Sequence, residues 1–280
     1  VPLARTDDIV GPAYAARLGV GAFNVLQIEH AEAIVSGAER AGRPVVLQIS
    51  ENTVRYHGAL APVGLASLAV ARAASVPVAV HLDHAESVEL VEEAIELGFY
   101  SVMFDASRLP YERNVALTKN VTDRCHRADV WVEAELGEVG GKDGAHAPGV
   151  RTDPDEARAF VRATGVDALA VAVGSSHAML TRDAELDLPL ITRLREEARV
   201  PLVLHGSSGV SDGGLAKAVA AGMTKVNVST HLNKLFTRAV RDHLAADPAV
   251  VDPRGYLGPA RAAVATETAR LLGLLGGGEA

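Results

Sequence analysis

Short apolar runs alternate with longer Ala-, Glu- and Arg-rich segments from one end of this chain to the other. That alternation restricts the fold more than any other feature. An apolar run of about four to eight residues between turn signals is the pattern of a strand buried on both faces, and such strands belong to parallel sheets covered by helices. Candidate strands are Gly21–Val25, Val45–Ser50, Val78–Asp83, Ser101–Asp105, Val130–Leu136, Ala168–Gly174, Leu202–Gly206 and Lys225–Val228. Helical patterns such as Glu29–Ala41 and Ser87–Leu97 lie between them. Ala41-Gly42, Leu97-Gly98, Thr164-Gly165 and Ala221-Gly222 carry helix-stop glycines. Pro44, Pro77 and Pro201 stand just before strands, where a missing N–H costs little.

About eight strand–helix units predict an α/β chain folded as one (β/α)8 TIM barrel. The 280 residues are ordinary for a fold of roughly 250. A doubly wound sheet would need a second domain to use that length. No linker divides the sequence, so residues 1–280 are expected to form a single barrel domain. A helix over about Asp7–Leu18 precedes the pattern, and Asp252–Gly273 reads as a turn plus a C-terminal helix. Gly137–Asp153 is long for a connection and is expected as a loop over the site.

Hydrophobic residues make up 48% of the chain and aromatics only 4%, so Ala, Val and Leu must fill the core. The net charge is -8 and no long basic stretch is present, which argues against nucleic acid as a partner. No apolar run reaches the roughly 18 residues of a membrane span. No signal peptide is read, because Arg5, Asp7 and Asp8 interrupt the N-terminal stretch. The one cysteine, Cys125, excludes an intrachain disulfide framework and fits a cytoplasmic protein.

The chemistry concentrates at strand ends. His81-Leu82-Asp83-His84-Ala85-Glu86 closes the third apolar run, and two later runs end at His177 and His205. In a barrel these ends converge on one face, where active sites sit. His84, His177 and His205 together would give Zn²⁺ three imidazole ligands and leave a position open for substrate. His30, His57, His126, His146, His231 and His243 have no such placement and read as structural. Asp83 adjoins His84, so in an extended segment its side chain points the other way. A sharp bend at the strand end would bring both over the mouth. Asp105 ends the fourth run, and Glu133 and Glu135 share one face of the fifth. Carboxylates inside a barrel need a partner, either a divalent cation or a barrel Lys or Arg. Lys225 opens the last predicted strand and is expected at its N-terminal end, away from the site. Leu204–Gly209 and Asn227–Thr230 each precede a helix after strands seven and eight. Small residues there let backbone N–H groups and a helix dipole receive phosphate.

These pieces together resemble the class II, metal-dependent fructose-bisphosphate aldolase family, with its tagatose-bisphosphate relatives. The matching segments are Gly21-Ala22-Phe23-Asn24-Val25, His81 to Glu86, Ser101 to Ser107, Val132 to Gly137, Gly174-Ser175-Ser176-His177, His205 to Gly209, Lys225 to Thr230 and Asp252-Pro253-Arg254. They run in family order across nearly the whole chain. The resemblance implies that His84, His177 and His205 bind a catalytic Zn²⁺, with Asp105 and Glu135 at a second or displaced metal position. It makes Asp83 the acid/base at the C4 hydroxyl during C3–C4 cleavage, and dihydroxyacetone phosphate the donor product. It places Asn24, Ser50, Ala178, Gly206, Ser208, Asn227, Ser229 and Thr230 at substrate contacts, with a monovalent cation (Na⁺ or K⁺) near the phosphate. Arg254 matches a residue that reaches a neighbouring subunit's site, which implies a homodimer or homotetramer.

Three departures bear on substrate. The family loop has Gly-Gly, an acidic or Gln residue, then Glu, whereas this chain has Gly140-Gly141-Lys142-Asp143, so Asp143 becomes the second base. After its second metal histidine the family has Gly, Tyr and Lys, and this chain has Ala178-Met179-Leu180-Thr181, with Arg182 following. Asn233 stands where the family places Arg or Lys for the far phosphate, and Lys234 projects about 100° away on a helix. The expected enzyme is a zinc-dependent aldolase for a phosphorylated ketose, such as a ketose 1,6-bisphosphate or a ketose 1-phosphate, and the departures favour a smaller or unphosphorylated aldehyde half. A zinc hydrolase on the same barrel and a non-catalytic sugar-phosphate binder are the competing readings.

Overall fold

The computed structural model describes residues 2–137, 151–176 and 181–277. Its strands are β1 (Val20–Asn24), β2 (Val45–Ser50), β3 (Val78–Ala85), β4 (Ser101–Phe104), β5 (Trp131–Leu136), β6 (Ala168–Val171), β7 (Leu202–Leu204) and β8 (Met223–Val228). They pair in chain order, all parallel, and β8 closes on β1 to complete the barrel. The helices are α1 (Thr6–Ala16), α2 (Ile28–Ala41), α3 (Glu51–His57), α4 (Ala61–Ala73), α5 (Val88–Glu96), α6 (Tyr111–Arg127), α7 (Pro154–Thr164), α8 (Leu188–Ala198), α9 (Asp212–Ala221), α10 (Thr230–Ala246) and α11 (Pro253–Leu275). The predicted (β/α)8 architecture, its N-terminal helix and its C-terminal helix are all present. No helix among the described residues is long and apolar enough to cross a membrane.

Local chemistry sets the boundaries. Ser87, Asp153, Asp187, Ser211 and Asp252 cap helix N-termini with their side chains, each satisfying N–H groups that have no partner inside the helix. Gly42 and Gly165 end α2 and α7 in left-handed backbone. The prolines before strands contribute carbonyls where they lack N–H. Pro77 O accepts from Val45 N, and Pro201 O accepts from Leu169 N.

The strands are buried almost throughout, and successive side chains point alternately to the outer helices and to the barrel axis. Phe23, Leu47, Ile49, Val80, Leu82, Val132, Leu169 and Val226 belong to the large apolar cluster that includes the outer helices. The intervening positions face the barrel axis. Near the N-terminal end this interior is apolar, with α1 closing it through Ile9 against Val20, Ala22, Val46 and Ala79. Farther along the strands it becomes polar, with His81, Glu133, Glu135, His205 and Lys225 all fully buried. A charged layer in that position is unusual for a barrel interior, which branched aliphatic residues commonly fill.

Candidate active site

The polar layer opens at the C-terminal mouth into a cavity of about 170 Å³. It is lined by Asn24, Gln48, Ser50, Asn52, Asp83, His84, Gly206, Ser208, Asn227, Ser229 and Thr230. Every substrate-contact residue expected within the described barrel loops is therefore at this one mouth. Gln48 and Asn52 join them and were missed from sequence. Gln48 lies two residues before Ser50, so the strand period alone puts the two on one face. Asn52 sits in the first turn of α3, which Ser50 caps by accepting from Thr53 N at 3.3 Å.

Two features bring Asp83 and His84 to the mouth together. The pairing of β3 with β4 shifts register between Leu82 and Ala85, and His84 takes a left-handed backbone with φ of 52°. His84 Nδ1 lies 2.8 Å from Asp105 Oδ2. Asp105 Oδ1 in turn accepts from Ser107 N and Ser107 Oγ. Asn24 Nδ2 donates to Asp83 Oδ2 at 3.4 Å, and Gln48 Nε2 donates to Asn24 Oδ1 at 2.7 Å. Burial opposes charge on Asp83, but His84, then Lys225 and His205, outweigh it and hold its pKa below the ordinary value.

His205 follows β7 with its ring between two carboxylates. Nδ1 lies 3.0 Å from Glu135 Oε2, and Nε2 lies 3.0 Å from Glu133 Oε1. Burial disfavours a charged ring, yet hydrogen bonds to Glu133 and Glu135 lift the pKa to about 9. Glu133 Oε2 is ion-paired with Lys225 Nζ at 2.9 Å. Burial would raise the Glu133 pKa, but Lys225 and then His205 hold it well below the carboxylate range. This corrects the expectation for Lys225. The last strand begins at Met223, not Lys225, so Lys225 is mid-strand and turns inward to partner Glu133. His81 drops beneath the site, with Nδ1 3.0 Å from Ser101 Oγ.

Two sets of donor atoms are grouped closely enough to hold a metal ion. One is Asp83, His84 and His205; the other is His84, Asp105 and Glu135, the atoms of each lying within 4.8 Å of one another. His177, Ala178 and Asp143, and with them His146, lie outside the described residues. Arg254 is elsewhere on the surface, paired with Asp252, its side chain 91% exposed. Asn233 lines an adjacent cleft along α10 with Arg182, Lys234 and Arg238.

The loops after β7 and β8 are organised around small residues. Gly206 adopts φ of 66°, and a Cβ there would lie 2.5 Å from the Ser176 carbonyl. Ser208 Oγ accepts from Ser229 N at 3.4 Å and from His231 N at 3.2 Å, at the start of α10. His231, read as structural, thus lends its backbone to the mouth, while its ring contacts Glu267 at 2.6 Å.

Imidazole and carboxylate donors grouped at the mouth of a closed parallel barrel, beside hydroxyl-lined helix N-termini, describe a metal-dependent barrel enzyme for a small anionic ligand. Residues 4–279 match the family model for fructose-bisphosphate aldolase, class II. The chain is 40% identical over 266 residues to a fructose-bisphosphate aldolase of Geobacillus stearothermophilus, spanning 94% of this chain and 93% of that one. It is 40% identical over 268 residues to a probable fructose-bisphosphate aldolase of Bacillus subtilis strain 168, spanning 94% of each. The crystal structure of the YdjI aldolase from Escherichia coli K12 superimposes with a TM-score of 0.85 at 32% identity, covering 99% of this chain and 100% of the other. The chain belongs to the class II fructose-bisphosphate aldolase family.

Proposed function

We propose that this chain is a zinc-dependent aldolase that reversibly cleaves a phosphorylated ketose to dihydroxyacetone phosphate and an aldehyde. The observation that carries the reading is the convergence of Asp83, His84 and His205 beside Asp105 and Glu135, at the mouth that also presents the β7 and β8 loops. A set of imidazoles and carboxylates suits Zn²⁺. His84 and His205, with His177, would hold the ion, and Asp105 and Glu135 offer a second position. When bound, the ion acts as a Lewis acid for charge developing beside a carbonyl.

The protein's own groups supply the rest. Asp83 is held ionised, and its Oδ1 has no hydrogen-bond partner among the described residues. Asp83 therefore accepts the C4 hydroxyl proton as the C3–C4 bond breaks, and returns it in the aldol direction. The N–H groups of Ser229 and His231 hold the donor phosphate at the start of α10 in place of Ser208 Oγ. Asp143 is the second base, exchanging the proton at the donor carbon.

Among the described residues no Lys or Arg lines the cavity. Asn233, standing where the family has Arg or Lys for the far phosphate, supports a substrate whose aldehyde half is small or carries no phosphate. A monovalent cation (Na⁺ or K⁺) beside the phosphate, a cytoplasmic location, and a homodimer or homotetramer completed by Arg254 belong to the same reading.

Triose-phosphate release over a panel of ketose 1-phosphates and ketose 1,6-bisphosphates, with and without EDTA, tests it. EDTA-sensitive release, fastest with a ketose monophosphate, is expected. Cleavage untouched by thorough metal removal overturns the zinc assignment, and a strong preference for fructose 1,6-bisphosphate overturns the substrate assignment.

A further inference from the structure

We infer that Lys225 and Glu133 form a buried positioning pair that aims His205 at the metal and Asn227 at the substrate. The inference rests on the proposed role of His205 as a metal ligand and deepens it.

The geometry of the His205 ring carries the first half. Both ring nitrogens face carboxylates at 3.0 Å, so a metal takes one side only and the other stays with its carboxylate. Glu135 is grouped with His84 and Asp105 as a donor, whereas Glu133 belongs to neither donor group. The metal side is therefore Nδ1, and Nε2–H donates to Glu133. A carboxylate on the far nitrogen fixes the tautomer and the ring plane and strengthens the ligand. Glu133 is itself held by Lys225 Nζ at 2.9 Å, with both side chains fully buried.

Lys225 also reaches the substrate wall. Its Nζ donates to Asn227 Oδ1 at 2.9 Å. An ammonium group has donors and no acceptor, so the amide must turn its oxygen toward Lys225. Its NH₂ is then left for the cavity, which Asn227 lines. One buried cation thus sets the direction of a metal ligand through Glu133 and the polarity of a substrate contact directly.

Stability alone does not call for this pair. A buried ion pair replaced by apolar residues of similar volume is often neutral or stabilising. A function in orientation accounts for charge in a layer that apolar side chains would otherwise fill.

The test compares wild type with Glu133→Gln/Lys225→Met, which removes both charges at nearly constant volume. His205→Ala serves as the control. Zn²⁺ affinity is read by competition with a chromophoric chelator, and ligand geometry by the visible spectrum of the Co²⁺-loaded protein. The thermal midpoint of the metal-free protein reports the fold. The expected result is Zn²⁺ affinity lower by about 10- to 100-fold with altered Co²⁺ bands and a near-native midpoint. Wild-type affinity with an unchanged Co²⁺ spectrum overturns the positioning role, provided His205→Ala lowers affinity. If His205→Ala leaves affinity unchanged, the ligand assignment beneath it fails instead. Should the double variant not fold, Glu133→Asp decides: it keeps the charge and shortens the reach, so it must weaken Zn²⁺ binding, and unchanged binding refutes the pair.

Discussion

Asp83 and His84 are neighbours in sequence, yet both side chains line the same cavity. A flat strand would send them to opposite faces. The register shift before Ala85 and the left-handed backbone at His84 remove that alternation at the one place where a proton carrier and an imidazole must meet. Non-glycine residues adopt this backbone rarely, at a cost of order 1–3 kcal/mol when the surroundings enforce it.

Asp83→Asn separates the two neighbours. The amide keeps the shape and the contact with Asn24 but cannot take a proton. Cleavage is expected to fall by roughly 10²- to 10⁴-fold, the usual contribution of a positioned acid/base. Metal content should persist, since the imidazoles are untouched. Retro-aldol turnover together with elemental analysis checks both. Turnover near wild type would remove Asp83 from the mechanism.

Gly206→Ala probes the β7 loop. The position has φ of 66°, and a Cβ would meet Ser176 backbone atoms at 2.5 Å, which no side-chain rotation relieves. Left-handed backbone alone costs about 1–2 kcal/mol for a residue with a Cβ. At roughly 2–4 °C per kcal/mol for a protein of this size class, the thermal midpoint should drop by several degrees. Substrate affinity should fall with it, because Ser208 follows two residues on. A calorimetric scan showing no loss would mean the loop relaxes freely.

His81 gives a pH signature. Burial, and then the Lys225 charge, push its pKa down to about 3. The unfolded chain takes up that proton near pH 6.5, so between about 6.5 and 3 the unfolded state binds more protons than the folded state. Stability from this group is therefore present above about pH 6.5 and lost on acidification, by up to ~1.4 kcal/mol per pH unit. His81→Gln keeps a partner for Ser101 and abolishes the titration. Urea midpoints measured from pH 7 to pH 5 should fall less steeply in the variant. Parallel slopes would show that His81 is not the group responsible.

The sequence placed the barrel well because each strand carries its own bounded apolar run, and periodicity is a local property. It located Asp83, His84, Asp105, Glu135 and His205 for the same reason, since strand ends fix the rim. Depth inside the barrel was harder to read. Lys225 opens the last predicted strand but lies mid-strand in the structure, because β8 begins two residues earlier at Met223. The ion pair with Glu133 joins β5 to β8, 92 positions apart in the sequence, and no local pattern encodes it. The sharp bend that brings Asp83 and His84 over the mouth together is present, but its form, a register shift with left-handed backbone at His84, depends on how β3 pairs with β4 and is not a local property.

Asn227→Asp tests the polarity set by Lys225. Asp keeps an oxygen toward Lys225 Nζ, so the buried contact at 2.9 Å survives and the fold should persist. The change falls on the cavity side, where NH₂ donors become a charged acceptor facing an anionic substrate. A hydrogen bond to a charged group is worth about 1.5–3 kcal/mol, and each 1.4 kcal/mol is tenfold. KM for the ketose phosphate should therefore rise by at least about tenfold in Asn227→Asp, with added repulsion taking it beyond Asn227→Ala. If Asn227→Ala weakens binding more than Asn227→Asp does, the amide oxygen faces the substrate and Lys225 does not orient it. Steady-state kinetics of both variants on one substrate, beside thermal midpoints to exclude misfolding, decides between these orientations.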